Sequence, residues 1–208
     1  MSKKTDLILD YFNELLPNAK CELNYSKDYE LIIAVMLSAQ CTDKKVNKVT
    51  ANLFSKYKSL DELEKCSLND IENEIKTLGL YQNKAKYLKG IVHDLIYRFN
   101  YKVPENKKDL MSLPGVGNKT ANVVRIEFFK DPEFPVDTHV ERVSKRLGLC
   151  SNNDSVMVVE EKLKKTFDKD LWIKLHHQFI FFGRYHCFAR NPDCEHCKLK
   201  TICTYYKK

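Results

Sequence analysis

The feature that most restricts how this chain can fold is the period of its apolar residues. Segment after segment repeats at helical spacing, and none alternates as a half-buried strand would. Residues 29–40 are the extreme case: nearly all apolar, they read as a central helix buried on every side. Leu7, Tyr11 and Leu15 mark one face of a first helix that stops near Pro17. Thr42 is placed to cap a helix carrying Val46, Val49, Leu53 and Phe54. Ser59 with Glu62 reads as a capping box, and Ser67 starts a further helix with Leu68, Ile71, Ile75 and Leu78 inward and Gly79 at its C-cap. A stripe then runs from Ala85 through Leu88, Ile91, Val92, Leu95 and Ile96 to Phe99. After Pro104 two helices flank the string 113–117, and beyond Pro132 and Pro135 helices are expected near 138–147, 155–167 and 171–183. The expected fold is all-α, with a boundary at the 131–135 kink and a first helix free to pack away from its sequence neighbours.

At 208 residues the chain can form one domain or two small ones. Its 43% hydrophobic and 30% charged content, with six Gly and six Pro, excludes collagen-like and low-complexity chains. The longest unbroken apolar run, 31–37, is far short of the roughly 20 residues of a membrane span. The N-terminal residues lack the apolar stretch of a signal peptide, so a soluble, cytoplasmic, non-secreted protein is expected. Thirty-five Lys and Arg against 28 Asp and Glu give +7, a balance that suits a polyanion because phosphates release counterions on meeting cations. From Arg184 to Lys208 there are six cations and two anions. Of the eight cysteines, Cys21, Cys41, Cys66 and Cys150 are scattered and read as small hydrophobes or surface thiols, while four fall within 17 residues. Clustered thiols in a chain without an export signal point to metal ligation rather than disulfides.

Four constellations carry chemistry. In Leu113-Pro114-Gly115-Val116-Gly117-Asn118-Lys119-Thr120-Ala121, two glycines around one apolar residue form a tight turn at the mouth of a helix. Outward backbone N–H groups there would bind phosphate without side-chain charge, although an ordinary helix–helix turn also accounts for a lone G-x-G. Val116 is expected to plug the core between the flanking helices. Lys119 falls in the first turn of that helix, where the dipole disfavours a cation. An amine held beside a phosphodiester is placed to attack a sugar C1′ and form a Schiff base, whereas an arbitrary lysine would simply face solvent. Asp137 can cap the helix beginning at Thr138, and its carboxylate can also accept a proton and stabilise an oxocarbenium-like sugar. Finally, Cys187, Cys194, Cys197 and Cys203 form C-x6-C-x2-C-x5-C. Such a set surrounds zinc or an iron–sulfur cube, and one C-x2-C knuckle where zinc ribbons carry two leans toward the cube.

LPGVGNKTA, the following VDTHVERV and Gly183-Arg184-Tyr185-His186-Cys187 opening the cysteine loop closely resemble the endonuclease III family, DNA repair glycosylases with apurinic/apyrimidinic (AP) lyase activity in the helix-hairpin-helix superfamily. The resemblance runs essentially end to end. It implies two helical domains flanking a DNA cleft: a six-helix barrel over 21–132 with its helix-hairpin-helix near 106–129, and a second domain of 1–20 and 133–208 carrying a 4Fe-4S cluster on the loop 187–203. It assigns the catalytic lysine to Lys119, the aspartate to Asp137, and the cluster ligands to Cys187, Cys194, Cys197 and Cys203. Gln40 and Leu80 match residues inserted into DNA. Gly115, Gly117, His139, Arg190, Lys198 and Lys200 are the further expected DNA contacts. The implied partner is double-stranded DNA with oxidised pyrimidines or abasic sites, bound by a monomer associated with the nucleoid in a prokaryote. Asn118 departs from the basic residue common in the family.

Three other readings compete. A monofunctional adenine-type glycosylase shares the hairpin, the aspartate and the cluster, but lacks the hairpin lysine. A non-catalytic helix-hairpin-helix DNA-binding protein would have no reason to combine Lys119 with Asp137. A zinc-containing binding protein would lack the brown colour of iron–sulfur charge transfer.

Overall fold

The computed structural model describes residues 2–206, and every regular element among them is helical. Met1, Lys207 and Lys208, which the resemblance assigns to the second domain, lie outside the described residues. The chain divides into two compact units: Glu22–Asp131 forms one, and the segments up to Cys21 and from Pro132 onward form the other.

The first helix, α1 (Lys3–Leu15), is capped by Ser2, whose hydroxyl accepts the Thr5 N–H at 3.3 Å. Its buried stripe is Thr5, Ile8, Tyr11 and Phe12. Leu7 and Leu15 are 42% and 40% exposed, which corrects the expected face. Steps of four residues drift around a helix, and the stripe that wins carries the residue able to stack with distant aromatics, Phe12.

In the unit Glu22–Asp131, α2 (Asp28–Leu37) is buried along its whole length from Tyr29 to Leu37. Its one interior carboxylate, Glu30, is satisfied by the N–H groups of Ser26 and Lys27 at 2.7 and 3.2 Å. Helices α3 (Asp43–Lys56), α4 (Leu60–Lys65) and α5 (Leu68–Ile75) start at Thr42, Ser59 and Ser67, each hydroxyl accepting a first-turn N–H. Helix α5 buries Ile71 and Ile75 but leaves Leu68, in its first turn, 37% exposed, against expectation. Gly79 is not the C-cap. The helix stops at Ile75 with a right-handed cap at Lys76, and the left-handed residue is Leu80, at φ 59°. Helix α6 (Tyr81–Tyr97) buries Lys84, Ala85, Leu88, Ile91, Val92 and Leu95 and packs on α2, α4 and α5. Helices α7 (Lys107–Met111) and α8 (Asn118–Val124) enclose the hairpin, and α8 runs on as a π-helical turn through Arg125–Phe129.

The other unit joins α1 to α9 (Thr138–Arg146), α10 (Val156–Thr166) and α11 (Trp172–Tyr185). Phe12, Phe134, Phe179 and Phe182 are fully buried at its centre, with Phe12 and Phe179 edge-to-face at 5.1 Å. Each such ring contributes roughly 1.5–3 kcal/mol by leaving water. Gln178 Nε2 donates to the carbonyls of Phe12 and Leu16 at 3.1 and 3.3 Å, fastening the end of α1 to a helix 160 residues away in sequence. A 3-10 turn, Lys198–Thr201, buries Leu199 and ends the cysteine loop against α1.

Candidate functional site

The hairpin is a tight turn set by packing. Val116 N–H donates to Leu113 C=O at 3.1 Å, and the Val116 side chain is buried as expected. Gly115 has φ +73°, and a Cβ there would sit 2.7 Å from the Tyr87 ring, so conformation and space both demand glycine. Gly90 on α6 is similarly filled by Pro114, whose Cγ lies 2.7 Å from where a Cβ would stand. Gly117 differs. It is extended, caps α8, and has nothing within 4 Å of a built Cβ. The open space at Gly117 is what close approach of a ligand to the backbone requires. Lys119 follows in the first turn of α8, half-buried.

Gln40 and Leu80 share an uncommon backbone. Gln40 has φ 57° in a turn closed by Cys41 N–H to Ser38 C=O at 3.0 Å, and Leu80 has φ 59° as the residue preceding α6. Both are exposed, Leu80 to 59%. A leucine in the left-handed region and also in water is unfavourable on two counts.

In the second unit Asp137 caps α9. Its Oδ1 accepts from the N–H groups of His139 and Val140 at 2.8 and 2.9 Å, leaving Oδ2 outside the cap. His139 is half-buried, its Cβ 2.9 Å from where a Cβ on Gly183 would stand, so α11 passes α9 closely only through a glycine. Burial holds the His139 imidazole below its usual range, against the pull of Asp137.

Two arginines that sequence reasoning passed over fasten α9 to the cysteine loop. Arg142 Nη2 donates to the carbonyls of Gly183 and Cys187 at 2.8 and 3.2 Å. Arg146 donates to Phe188 C=O at 2.6 Å, to Ala189 C=O at 3.0 Å and to Cys187 Sγ at 3.3 Å, with its guanidinium 4.0 Å over the Tyr205 ring. Their spacing of four, on one face of α9, was the available signal. The partners, some forty residues on, were not readable.

The four clustered thiols line one cavity together with Phe182 and His186. Among the described residues no three His, Cys, Asp or Glu side chains converge as ligands of a single metal ion. Four thiols around one cavity are the donor set that zinc or an iron–sulfur cube takes. Burial pushes the Cys197 thiol up to about 11 and raises Cys194, so these groups stay protonated unless a cation takes the place of their protons. Of the loop's cations, Arg190, Lys198 and Lys200 are all exposed. Lys198 pairs with Glu14 at 2.5 Å and Lys200 reaches Glu195 C=O at 3.3 Å.

The family model described as an HhH-GPD superfamily base excision DNA repair protein matches residues 33–169. Endonuclease III of Bacillus subtilis (strain 168) is 47% identical over 201 residues, covering 97% of this chain and 92% of that protein. Endonuclease III of Escherichia coli (strain K12) is 40% identical over 201 residues, covering 97% and 95%. A solved structure of a trapped endonuclease III–DNA covalent intermediate, an estranged-adenine complex, superposes with a TM-score of 0.95 at 47% identity, covering all of this chain and 98% of the other. The chain belongs to the HhH-GPD superfamily of base excision DNA repair proteins and, within it, to the endonuclease III family.

Proposed function

We infer that the chain is a bifunctional DNA glycosylase and AP lyase of base excision repair, acting as a monomer in the cytoplasm on duplex DNA with oxidised pyrimidines or abasic sites. The observation that carries this is Lys119 in the first turn of α8, directly beyond a hairpin whose Gly117 leaves its backbone open to a phosphate. A damaged pyrimidine leaves the stack at lower cost than an intact pair and is flipped out. Gly115 and Gly117 hold the backbone through their N–H groups, and Gln40 and Leu80 fill the space the base vacates. The Lys119 amine attacks C1′ as the bond from C1′ to the base breaks, and the base departs protonated. Asp137 assists by accepting a proton and stabilising the positive sugar, using the carboxylate oxygen its helix cap does not engage. Once the ring-opened Schiff base forms, the C2′ proton becomes acidic, its removal drives β-elimination, and the strand breaks on the 3′ side.

Cys187, Cys194, Cys197 and Cys203 are the residues that would hold a 4Fe-4S cluster. When bound, it supplies a rigid cross-link for the loop rather than a step of the reaction. Arg190, Lys198 and Lys200 then meet phosphates, Lys198 by exchanging Glu14 for DNA. His139 stands at the start of the same helix as Asp137 and is assigned to the DNA-facing end of α9. The test is cleavage of duplexes carrying thymine glycol, dihydrouracil, 5-hydroxycytosine or an abasic site opposite each normal base. Cutting 3′ to the lesion with intact duplex untouched is expected. Base release without strand cutting would instead indicate a monofunctional glycosylase.

A further inference from the structure

Lys84 is a buried lysine that the proposed chemistry leaves without a task. It lies one turn into α6 and is only 3% exposed. A lysine is a costly choice for such a place, since an apolar side chain would fill the space with no polar group to satisfy. Its bonds are specific. Nζ donates to Ala39 C=O at 2.7 Å and to Cys41 Sγ at 3.2 Å, so it grips the residue on each side of Gln40. Its backbone N–H donates to Leu80 C=O at 3.0 Å. That backbone bond is the ordinary first bond of α6, which any residue here makes; it is the side chain that ties the Gln40 turn to the helix entered through Leu80, and both Gln40 and Leu80 are non-glycine, left-handed and exposed. Left-handed backbone persists in such residues only where the surroundings hold it.

We propose that Lys84 is a positioning residue: it braces the Gln40 and Leu80 turns against each other, so that the two side chains enter the duplex as one pre-set unit. The proposal rests on the assignment of Gln40 and Leu80 as inserting residues. Pre-setting matters because each turn that must be ordered during binding subtracts from affinity. A lysine serving only as core filler or as a cap on α2 would stabilise the unit without coupling to Gln40.

A double-mutant cycle on the full-length, cluster-loaded protein separates these. The probe is a duplex with one tetrahydrofuran abasic analogue, on which no chemistry occurs, and melting temperature is followed in parallel. Lys84→Met keeps the length but removes the donor, and should weaken binding about tenfold, the scale of one lost charge-assisted hydrogen bond. Gln40→Ala should weaken it by a similar factor. Adding Lys84→Met to Gln40→Ala should then change affinity less than about twofold, because the side chain whose turn Nζ grips is already gone and the two-residue unit is already broken. A full tenfold loss in the Gln40→Ala background, or no loss from Lys84→Met alone, would overturn the brace while leaving the insertion reading intact. Wild-type binding by Gln40→Ala would overturn the insertion reading first, and the brace with it. Should Lys84→Met fail to fold, Lys84→Leu, which likewise has no donor, runs the same cycle with the same deciding outcomes.

Discussion

The hairpin at 113–117 and the cysteine loop at 187–203 are both short irregular segments, and they hold their shape by opposite means. The hairpin is closed by its own unit. Gly115 lies against Tyr87, Pro114 against Gly90, and Val116 plugs the core, so the turn stands before any ligand arrives. The loop has one 3-10 turn and one buried leucine, and depends on guanidinium bonds from Arg142 and Arg146 to its carbonyls. Its thiols crowd a cavity in which burial keeps Cys197 protonated. A site whose form comes from sterics tolerates loss of its ligand. A loop held by a few polar bonds around a thiol-lined cavity is more exposed to the loss of what the thiols bind. Chemistry that needs sub-ångström placement is accordingly proposed for the first, and a broad phosphate-binding surface for the second.

The largest expected effect breaks the loop alone. Cys197→Ser should remove iron and the absorbance near 400 nm, lower the melting temperature of the unit that holds α9–α11, and weaken duplex binding roughly tenfold or more as the loop's cations disperse. Spectroscopic melting should show the Glu22–Asp131 unit unchanged, and a variant that kept its iron and affinity would contradict the ligand assignment. Next is Asp137→Asn, which asks whether α9 does more than anchor the loop. Asn caps about as well as Asp, so fold and cluster should persist. Base release should slow by roughly a hundredfold or more, and cleavage of a preformed abasic site by less. Equal slowing of both would remove Asp137 from the departure of the base.

How much of this was legible in the sequence follows from how far each residue's partners lie. The caps at Thr42, Ser59, Ser67 and Asp137 were readable because a hydroxyl or carboxylate bonds an N–H two or three residues away. The burial of α2 was readable from composition alone. The face of α1 was not, because Phe12 is selected by Phe179 and Phe182, rings contributed by the far end of the chain. Gly79 drew the C-cap assignment on propensity, while the helix stops earlier, at Ile75, and the left-handed residue is Leu80. Lys84, Arg142 and Arg146 were overlooked for a shared reason: each bonds carbonyls some forty residues distant, and no local pattern marks such a role.

Smaller effects sharpen the comparison within the hairpin. Gly115→Ala combines a left-handed alanine with overlap on Tyr87 and should cost about 2–4 kcal/mol of stability. Gly117→Ala meets open space and should cost about 1 kcal/mol or less, yet weaken duplex binding several-fold. Thermal melts beside binding curves decide it, and equal losses of stability at both positions would show that Gly117 is also held by packing. Smallest is Arg190→Ala in the loop, which should weaken lesion and intact duplexes alike and flatten the log–log salt slope by about one unit. A loss confined to lesion duplex would place Arg190 at the damaged base instead.

The central claim, that a rigid hairpin presents the nucleophile, is tested most directly by borohydride trapping on a dihydrouracil duplex. The wild-type protein should give a stable protein–DNA adduct. Lys119→Gln keeps the length and polarity without the amine, so it should bind the same duplex while giving no adduct and no strand cleavage. An adduct formed by Lys119→Gln would mean that another amine attacks C1′, and would contradict the account.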